Sequence, residues 1–203
     1  MKHIKLYEDF IFENNDLNSA DEADQLAYIK RNGSGLEYID NPSEKVQIAA
    51  IKKDPQQFQY IKDPSEKVQL LAVTQDSHKR YKPGYSPDGN YDNAIQYIKD
   101  PSEKVKLAAV SAFGYTLKHI HKPSDKMKVA AIESDPTSIK YIEDPSEELQ
   151  LAAIANWRKA QGSVIIAHIQ NPTEKAQLAA IEQNPYILKY INNPTDKVKA
   201  LAK

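Results

Sequence analysis

One short phrase recurs along this chain of 203 residues, and its spacing limits the folds that the chain can adopt. The phrase is a proline, then serine or threonine, then an acidic residue. Successive copies lie 22, 37, 22, 22, 27 and 22 residues apart, so the period is 22 with insertions of 15 and 5 residues. A fixed period of this length indicates a repeat architecture. The prolines of the seven copies are Pro42, Pro64, Pro101, Pro123, Pro145, Pro172 and Pro194.

The residues around each proline predict the start of an α-helix. Asp or Asn precedes the proline in six copies, and we expect this residue to cap the helix, with proline at the first helical position. In the fourth copy Lys122 cannot cap, and Ser124 is the expected substitute. The acidic residue three positions after the expected cap has the spacing of a capping box and suits the positive end of the helix dipole.

An apolar segment follows each phrase and predicts a helix of about 10 residues. In the second copy Val68, Leu71 and Ala72 share one helical face, while Leu70 and Val73 lie on the opposite side. Such a helix is expected between two neighbours. The residue eight positions after the proline is always alanine, which permits close helix–helix approach. These alanines are Ala50, Ala72, Ala109, Ala131, Ala153, Ala180 and Ala202.

A second cap-and-proline pair follows in several copies, as at Asp54-Pro55, Asp135-Pro136 and Asn184-Pro185. The room before the next phrase allows one or two turns, partly 3₁₀. Such a unit cannot bury its apolar faces alone and must stack on copies of itself. We therefore predict an all-α fold, an α-solenoid of seven repeats of about 22 residues over residues 28–203. The sequence disfavours a β-repeat, because period-2 alternation is absent and alanine is a poor strand former.

The phrase D-P-S-E-K-V-Q-L-A-A-I resembles the leucine-rich repeat variant family, in which an α-helix alternates with a 3₁₀ helix in a right-handed superhelix. It is also similar to helical repeats of phages and large DNA viruses that are catalogued as a domain of unknown function. The resemblance covers residues 28–203. It implies an architecture and no activity. The iron–sulfur cluster of some family members is excluded, since this chain has no cysteine.

Residues 1–27 form a separate segment. Ile4, Tyr7, Phe10 and Ile11 are spaced to share one face of a helix, which predicts a cap for the first repeat. The sequence MKHIKLYEDFIFE also resembles the capsid-targeting peptides of proteins packaged into the heads of large tailed phages. Within it, Ile11-Phe-Glu13 is similar to the sites that prohead proteases of such phages cut. A structural cap and a targeting peptide are therefore two alternative interpretations of this segment.

Composition narrows the classes of function. The net charge is −1, which removes a global attraction to nucleic acid or anionic membranes. No apolar run approaches a membrane span, and residues 1–15 lack a secretory signal, so we expect a cytoplasmic protein, in the host cytoplasm or in the virion if a phage encodes it. No Gly-rich phosphate loop, HExxH motif or nucleophile elbow occurs. His119 and His121 are too few for a zinc site. We therefore expect no enzyme activity, no cofactor and no metal.

An aromatic column is the first candidate for binding. The residue four positions before each repeat proline is Tyr38, Tyr60, Tyr97, His119, Tyr141, His168 or Tyr190. A repeat fold turns this position into a row of side chains. Tyrosine is favoured at interfaces. Packing of each ring against the next repeat is the alternative that we favour.

A lysine column is the second candidate, at Lys45, Lys67, Lys104, Lys126, Lys175 and Lys197. Alone, the row resembles a phosphate-binding stripe. An acidic residue directly precedes each lysine, however, and offsets its charge. We therefore favour a solvated rim over a nucleic-acid groove.

The two insertions, near residues 77–93 and 156–163, are the strongest candidates. The smaller one contains the single tryptophan, and both are rich in the aromatic and basic types that dominate binding hot spots. Insertions on one side of a repeat array often mark the binding face, although a tolerated surface loop is an equal alternative. The candidate residues are Lys79, Arg80, Tyr81, Lys82, Tyr85, Tyr91, Trp157 and Arg158, together with Tyr60, Tyr97 and Tyr141 from the aromatic column.

These patterns lead to one expected function. The chain is predicted to be a non-enzymatic scaffold that presents an extended surface to a partner protein, and a phage origin would make that partner a virion component or a host factor. The alternative is a nucleic-acid-binding helical repeat that uses the lysine column and the basic, aromatic insertion.

Overall fold

The structure is a computed structural model that describes residues 17–75, 93–160 and 164–201. Every regular element in these ranges is an α-helix or a 3₁₀ helix, which confirms the prediction of an all-α repeat fold of the solenoid type. None of the described helices is both long and apolar enough to cross a bilayer. The right-handed superhelix that the resemblance implies stays a prediction.

The chain divides into two compact units, Met1–Val105 and Lys106–Lys203. In the first unit the α-helices are α1 (Glu22–Asn32), α2 (Glu44–Lys53) and α3 (Glu66–Val73), and the 3₁₀ helices are η1 (Leu36–Tyr38), η2 (Pro55–Tyr60) and η3 (Ala94–Tyr97). The boundary falls inside α4 (Glu103–Ala112). The second unit continues with η4 (Gly114–His119), α5 (Asp125–Ser134), η5 (Pro136–Tyr141), α6 (Glu147–Ala155), η6 (Trp157–Ala160), η7 (Ile165–His168), α7 (Glu174–Gln183), η8 (Pro185–Tyr190) and α8 (Asp196–Leu201).

Helix α1 belongs to the repeat although it lacks the proline phrase. It begins at Glu22, which is 22 residues before Glu44 at the start of α2, and it crosses the expected segment boundary at residues 27 and 28. Tyr28 stands where later copies carry the invariant alanine. Gly35 leaves space for this larger side chain, because a Cβ there would lie 2.8 Å from the Tyr28 ring. Its φ of 132° also favours glycine.

The predicted caps were wrong by two residues. The residue that caps α2, α3, α6 and α7 is the serine or threonine after the proline, and the helix begins at the acidic residue that follows. The hydroxyl of Ser43, for example, accepts the N–H of Val46 at 3.4 Å. Proline therefore lies before the helix, in the extended segment where its fixed φ fits. In the fourth copy Ser124 occupies the N-cap position of α5, as predicted, but its side chain makes no capping hydrogen bond.

Three buried side chains form a stripe along each of the helices α2, α3, α4 and α5. In α3 these are Val68, Ala72 and Val73, whereas Leu70 and Leu71 are only half-buried, which corrects the predicted pair of faces. The small residue of the stripe is the invariant alanine. It is buried in all six copies that the structure describes, and Ala202 lies outside the described residues. The prediction of close packing at this position is thus supported by its burial.

The short helices follow the predicted pattern. Asp54, Asp135 and Asn184 each cap a 3₁₀ helix with a side-chain oxygen, and proline is the first residue after the cap. The next isoleucine, such as Ile61 after η2, closes the last turn by donating its N–H to the carbonyl three residues earlier. That isoleucine is buried, so the residue just before it is left at the surface.

Candidate binding surface

The residues that are left at the surface in this way form the aromatic column. Each of its seven members is the last residue of a 3₁₀ helix. In the first unit η2 packs against both η1 and η3, so the helices of Tyr38, Tyr60 and Tyr97 are neighbours. Tyr60 is 40% exposed and Tyr97 is 48% exposed. Neither ring is fully buried between repeats. Packing against the next repeat, which the sequence analysis favoured, therefore covers only part of each ring.

Three of the four column members in the second unit are more enclosed, whereas Tyr190 is 42% exposed. Tyr141 and His168 are half-buried, and Lys140 lies over the ring of Tyr141 with its Nζ 4.9 Å from the ring centroid. Burial, followed by the charge of Lys140, lowers the pKa of His168 below its ordinary value. The imidazole is therefore held in its neutral form near pH 7. A neutral ring in place of tyrosine keeps the column uncharged at this position.

The smaller insertion is partly ordered into a helix rather than a loop. Residues Trp157–Ala160 form η6, and Ala160 is buried. This helix packs against η5, which anchors the insertion to the preceding repeat. Trp157 is nevertheless 44% exposed, and the guanidinium carbon of Arg158 lies 5.8 Å from its ring centroid. The tryptophan is thus held at the surface on a packed element.

Trp157 borders a cavity of about 220 Å³ in the second unit. The cavity lies between α6, η7, α7 and η8, and the other wall residues are mainly apolar: Ile154, Val164, Ile165, Ile166, Ala180, Gln183, Asn184 and Ile187. Small-molecule sites usually enclose about 300–1,000 Å³. A smaller apolar cavity beside an exposed tryptophan is suited to one side chain of a partner.

Tyr141 borders a different and larger cavity, of about 580 Å³, in the same unit. Its walls are polar and carry both signs of charge, with Lys140 beside Glu143 and Asp144. Two of its wall residues, Gln150 and Asn171, are joined by a hydrogen bond of 3.4 Å. The wall of this opening between successive repeats is less apolar than that of a typical binding pocket, although Ile142, Pro145 and Ala167 contribute to it. The cavity at Trp157 is smaller but more apolar, and it is therefore the better fit for a side chain of a partner.

Five of the six lysines of the column pair with an acidic residue of the preceding repeat. Lys67 Nζ lies 2.7 Å from Oε1 of Glu44, the first residue of the preceding α-helix. The same contact joins Lys45 to Glu22, Lys104 to Glu66, Lys175 to Glu147 and, at 4.0 Å, Lys197 to Glu174. Hydrogen bonds from Lys67 and then Ser65 hold the pKa of Glu44 below its ordinary value. This arrangement favours the predicted solvated rim.

Two aspartates at helix starts pair within their own helix instead. The fifth copy carries Glu148 where the others carry lysine, and Asp125 of the preceding helix instead pairs with Lys128 of its own helix, at 2.8 Å. Asp196, in the last copy of the chain, pairs with Lys199 in the same way, at 3.2 Å.

Several predicted residues cannot be placed. Lys79, Arg80, Tyr81, Lys82, Tyr85 and Tyr91 lie outside the described residues, as do residues 1–16 of the N-terminal segment. Within the described ranges, no cluster of three or more His, Asp or Glu side chains is arranged to hold a metal ion. Of the remaining candidates, Trp157 and Arg158 lie together, Tyr141 faces another cavity, and Tyr60 and Tyr97 belong to the first unit.

Buried glutamines join the repeats, and the sequence analysis missed them. Gln150 donates its amide to the carbonyl of Pro145 at 2.9 Å and accepts the N–H of Thr173 in the next copy, also at 2.9 Å. Gln177 connects Pro172 to Thr195 in the same way. Glutamine five positions after the proline, in four of the seven copies, was the available signal.

Together these features define the chain as an α-helical repeat protein in which adjacent repeats are joined by buried apolar stripes, glutamine bridges and ion pairs. No protein-family model, curated protein or solved structure matches this chain.

Proposed function

We propose that the chain is a non-enzymatic binding scaffold, and that the cavity beside Trp157 accepts an apolar side chain of a partner protein. The observation that carries the proposal is a half-exposed tryptophan held at the rim of a mainly apolar cavity of about 220 Å³, at a place where the repeat spacing is interrupted. Tryptophan and arginine are frequent hot-spot residues, and an apolar pocket at the centre of an interface is their usual setting.

The neighbouring charge defines the partner further. The guanidinium of Arg158 lies beside the Trp157 ring, at the surface. A partner segment with an apolar residue next to Asp or Glu would fill the cavity and also pair with this arginine. The resemblance of residues 1–13 to packaged phage proteins adds the proposal that the partner is a virion component or a host protein.

Selection from a displayed peptide library against the immobilised protein tests this function. We expect enrichment of peptides with an apolar anchor beside a carboxylate, and we expect Trp157→Ala to reduce their binding at least tenfold, a loss of ~1.4 kcal/mol or more. Val129→Ala is the matched control, because Val129 is an equally exposed apolar residue of the same unit. Enriched peptides that bind Trp157→Ala and wild type equally would refute the proposed site. Salt-dependent binding of single-stranded DNA or RNA, with no peptide enriched, would favour the alternative function.

A further inference from the structure

A second apolar surface lies in the first unit, between α1 and α2. These helices leave an open groove of about 390 Å³, whose floor consists of Leu26, Ile48 and Ala49. All three floor residues are only half-buried, so the groove is an unfilled apolar surface among the described residues.

Lysines surround this floor. Lys30 lies on α1, and Lys45, Lys52 and Lys53 lie on α2. Lys45 is paired with Glu22 at 3.0 Å. Among the described residues, no ion pair within 4.0 Å involves Lys30, Lys52 or Lys53. The groove thus combines an apolar floor with three exposed charges of one sign that are available to a ligand.

The positive charge is a property of this groove and not of the repeat. The positions of Lys52 and Lys53 are occupied by Thr74-Gln75, Ser111-Ala112, Glu133-Ser134, Ala155-Asn156 and Glu182-Gln183 in the other copies. In α1 the same two positions carry Lys30 and Arg31. Lysine near a helix C-terminus favours the helix dipole, but the later helices form without it. The basic pairs of α1 and α2 are therefore not needed to form the helix, since the other repeats form it without them.

We infer that the α1–α2 groove binds an amphipathic helical segment of a partner protein that carries carboxylates along the edges of its apolar face. The apolar face would cover Leu26, Ile48 and Ala49, and the carboxylates would pair with Lys30, Lys52 and Lys53. An apolar stripe laid into a groove is a recurrent mode of peptide recognition. Charge complementarity at the rim would set the orientation and the association rate.

Nucleic acid fits this groove less well. Its floor is aliphatic, whereas single-stranded nucleic acids bind to aromatic side chains on which bases stack. The groove lies in the other unit from Trp157, so this inference does not depend on the proposed function.

Fluorescence anisotropy with a labelled synthetic helix tests the inference. The probe has about 18 residues, with leucine at helical spacing and glutamate on both flanks, and a matched probe carries lysine in place of glutamate. We expect the full chain to bind the glutamate probe at least tenfold more tightly than the lysine probe, and we expect this preference to weaken with added salt. Equal affinity for the two probes, or no binding of the glutamate probe, would overturn the inference.

Two variants locate the binding. Lys52→Glu/Lys53→Glu is expected to weaken the binding of the glutamate probe at least tenfold. Ile48→Asp is expected to weaken it as much, because it places a charge on the apolar floor of the groove. Lys62→Glu/Lys99→Glu is the control, because it makes the same charge change at exposed residues of the same unit and is expected to alter affinity less than twofold. Circular dichroism verifies that each variant is folded. An equal loss in the control, or none in the groove variants, contradicts the inference.

Other occupants give distinct results. Binding of the glutamate probe only after deletion of residues 1–16 would show that the chain fills its own groove, and would overturn the inference. Sedimentation with vesicles that contain phosphatidylserine, abolished by Lys52→Glu/Lys53→Glu, would assign the groove to a membrane surface and would also overturn it. Tight binding of the glutamate probe by the intact chain, with no vesicle binding, supports a protein partner.

Discussion

Lys67 Nζ and Glu44 Oε1 lie 2.7 Å apart although the two residues belong to successive repeats. The second carboxylate oxygen of Glu44 accepts the hydroxyl of Ser65 at 2.7 Å, and Ser65 is the residue that caps the helix carrying Lys67. One acidic side chain at the start of a helix therefore contacts both the cap and the first turn of the next helix. Each copy of the phrase contains both the acidic residue and the cap with its lysine. The acidic residue contacts the next copy, whereas the cap and the lysine contact the preceding copy.

A double-mutant cycle measures this contact. Lys67→Met and Glu44→Gln are each expected to lower the free energy of unfolding slightly, because both groups are exposed and screened. The double variant is expected to lose less than the sum of the two single variants, since either change already removes the pair. Urea unfolding at low and high salt checks this, and a coupling that is absent at low salt would contradict the pairing.

The ladder also predicts how stability depends on pH. Hydrogen bonds from the following repeat lower the pKa of Glu22, Glu44 and Glu66 from the ordinary value of 4.5. Their stabilising contribution is therefore complete above pH 4.5 and is lost as the pH falls below that value, through the lower pKa of the folded state. The free energy of unfolding should therefore fall as the pH is lowered below about 4.5. Glu44→Gln/Glu66→Gln should show a shallower fall, and an identical slope would contradict this source.

Gly114 tests the close approach of a short helix to its neighbour. A Cβ at this position would lie 2.3 Å from the carbonyl oxygen of Ala131 and 2.6 Å from the hydroxyl of Ser138. Gly114→Ala should therefore lower the free energy of unfolding by about 1–3 kcal/mol, as overpacking commonly does. Ser111→Ala, at an exposed position nearby, is the control and should change it by less than about 0.5 kcal/mol. Urea unfolding of both variants gives the comparison.

Deletion of residues 78–92 tests whether the larger insertion is separate from the repeat. The chain is anchored directly after it, where the buried Asn93 donates its amide to the carbonyl of Val73 at 3.2 Å. The deletion restores the spacing of 22 residues between copies. We expect a folded, helical protein, with the free energy of unfolding changed by less than about 2 kcal/mol because loop length has a small effect. A loss of the helical circular dichroism signal would show that the insertion is structural.

The sequence predicted the parts of this fold that depend on local pattern. The period, the long and short helices and the buried alanine follow from spacing and from the preferences of proline and aspartate near helix starts. The helix cap was misplaced because Asp63 and Ser65 are both good caps, and only the backbone of the assembled repeat selects Ser65. Helix α1 was not recognised as a repeat because it lacks the proline and carries Tyr28 in place of alanine.

The contacts between copies were harder to predict. The bridge from Gln150 to Thr173 joins residues 23 apart, and nothing in one copy shows which neighbour its side chains meet. The cavity at Trp157 has the same origin, because its walls come from α6, η7, α7 and η8. The sequence identified Trp157 by its type and its place in an insertion, while the apolar partners of the tryptophan depend on how successive copies stack.

Trp157 is the only tryptophan of the chain, so its fluorescence tests the proposed binding site directly. The measurement is a titration of the full chain with a peptide enriched in the selection described above, with calorimetry of the same mixture as an independent measure of binding. Occupation of the cavity should shift the tryptophan emission to shorter wavelength, with a midpoint that matches the calorimetric Kd. Calorimetric binding that leaves the emission of Trp157 unchanged would contradict the proposal.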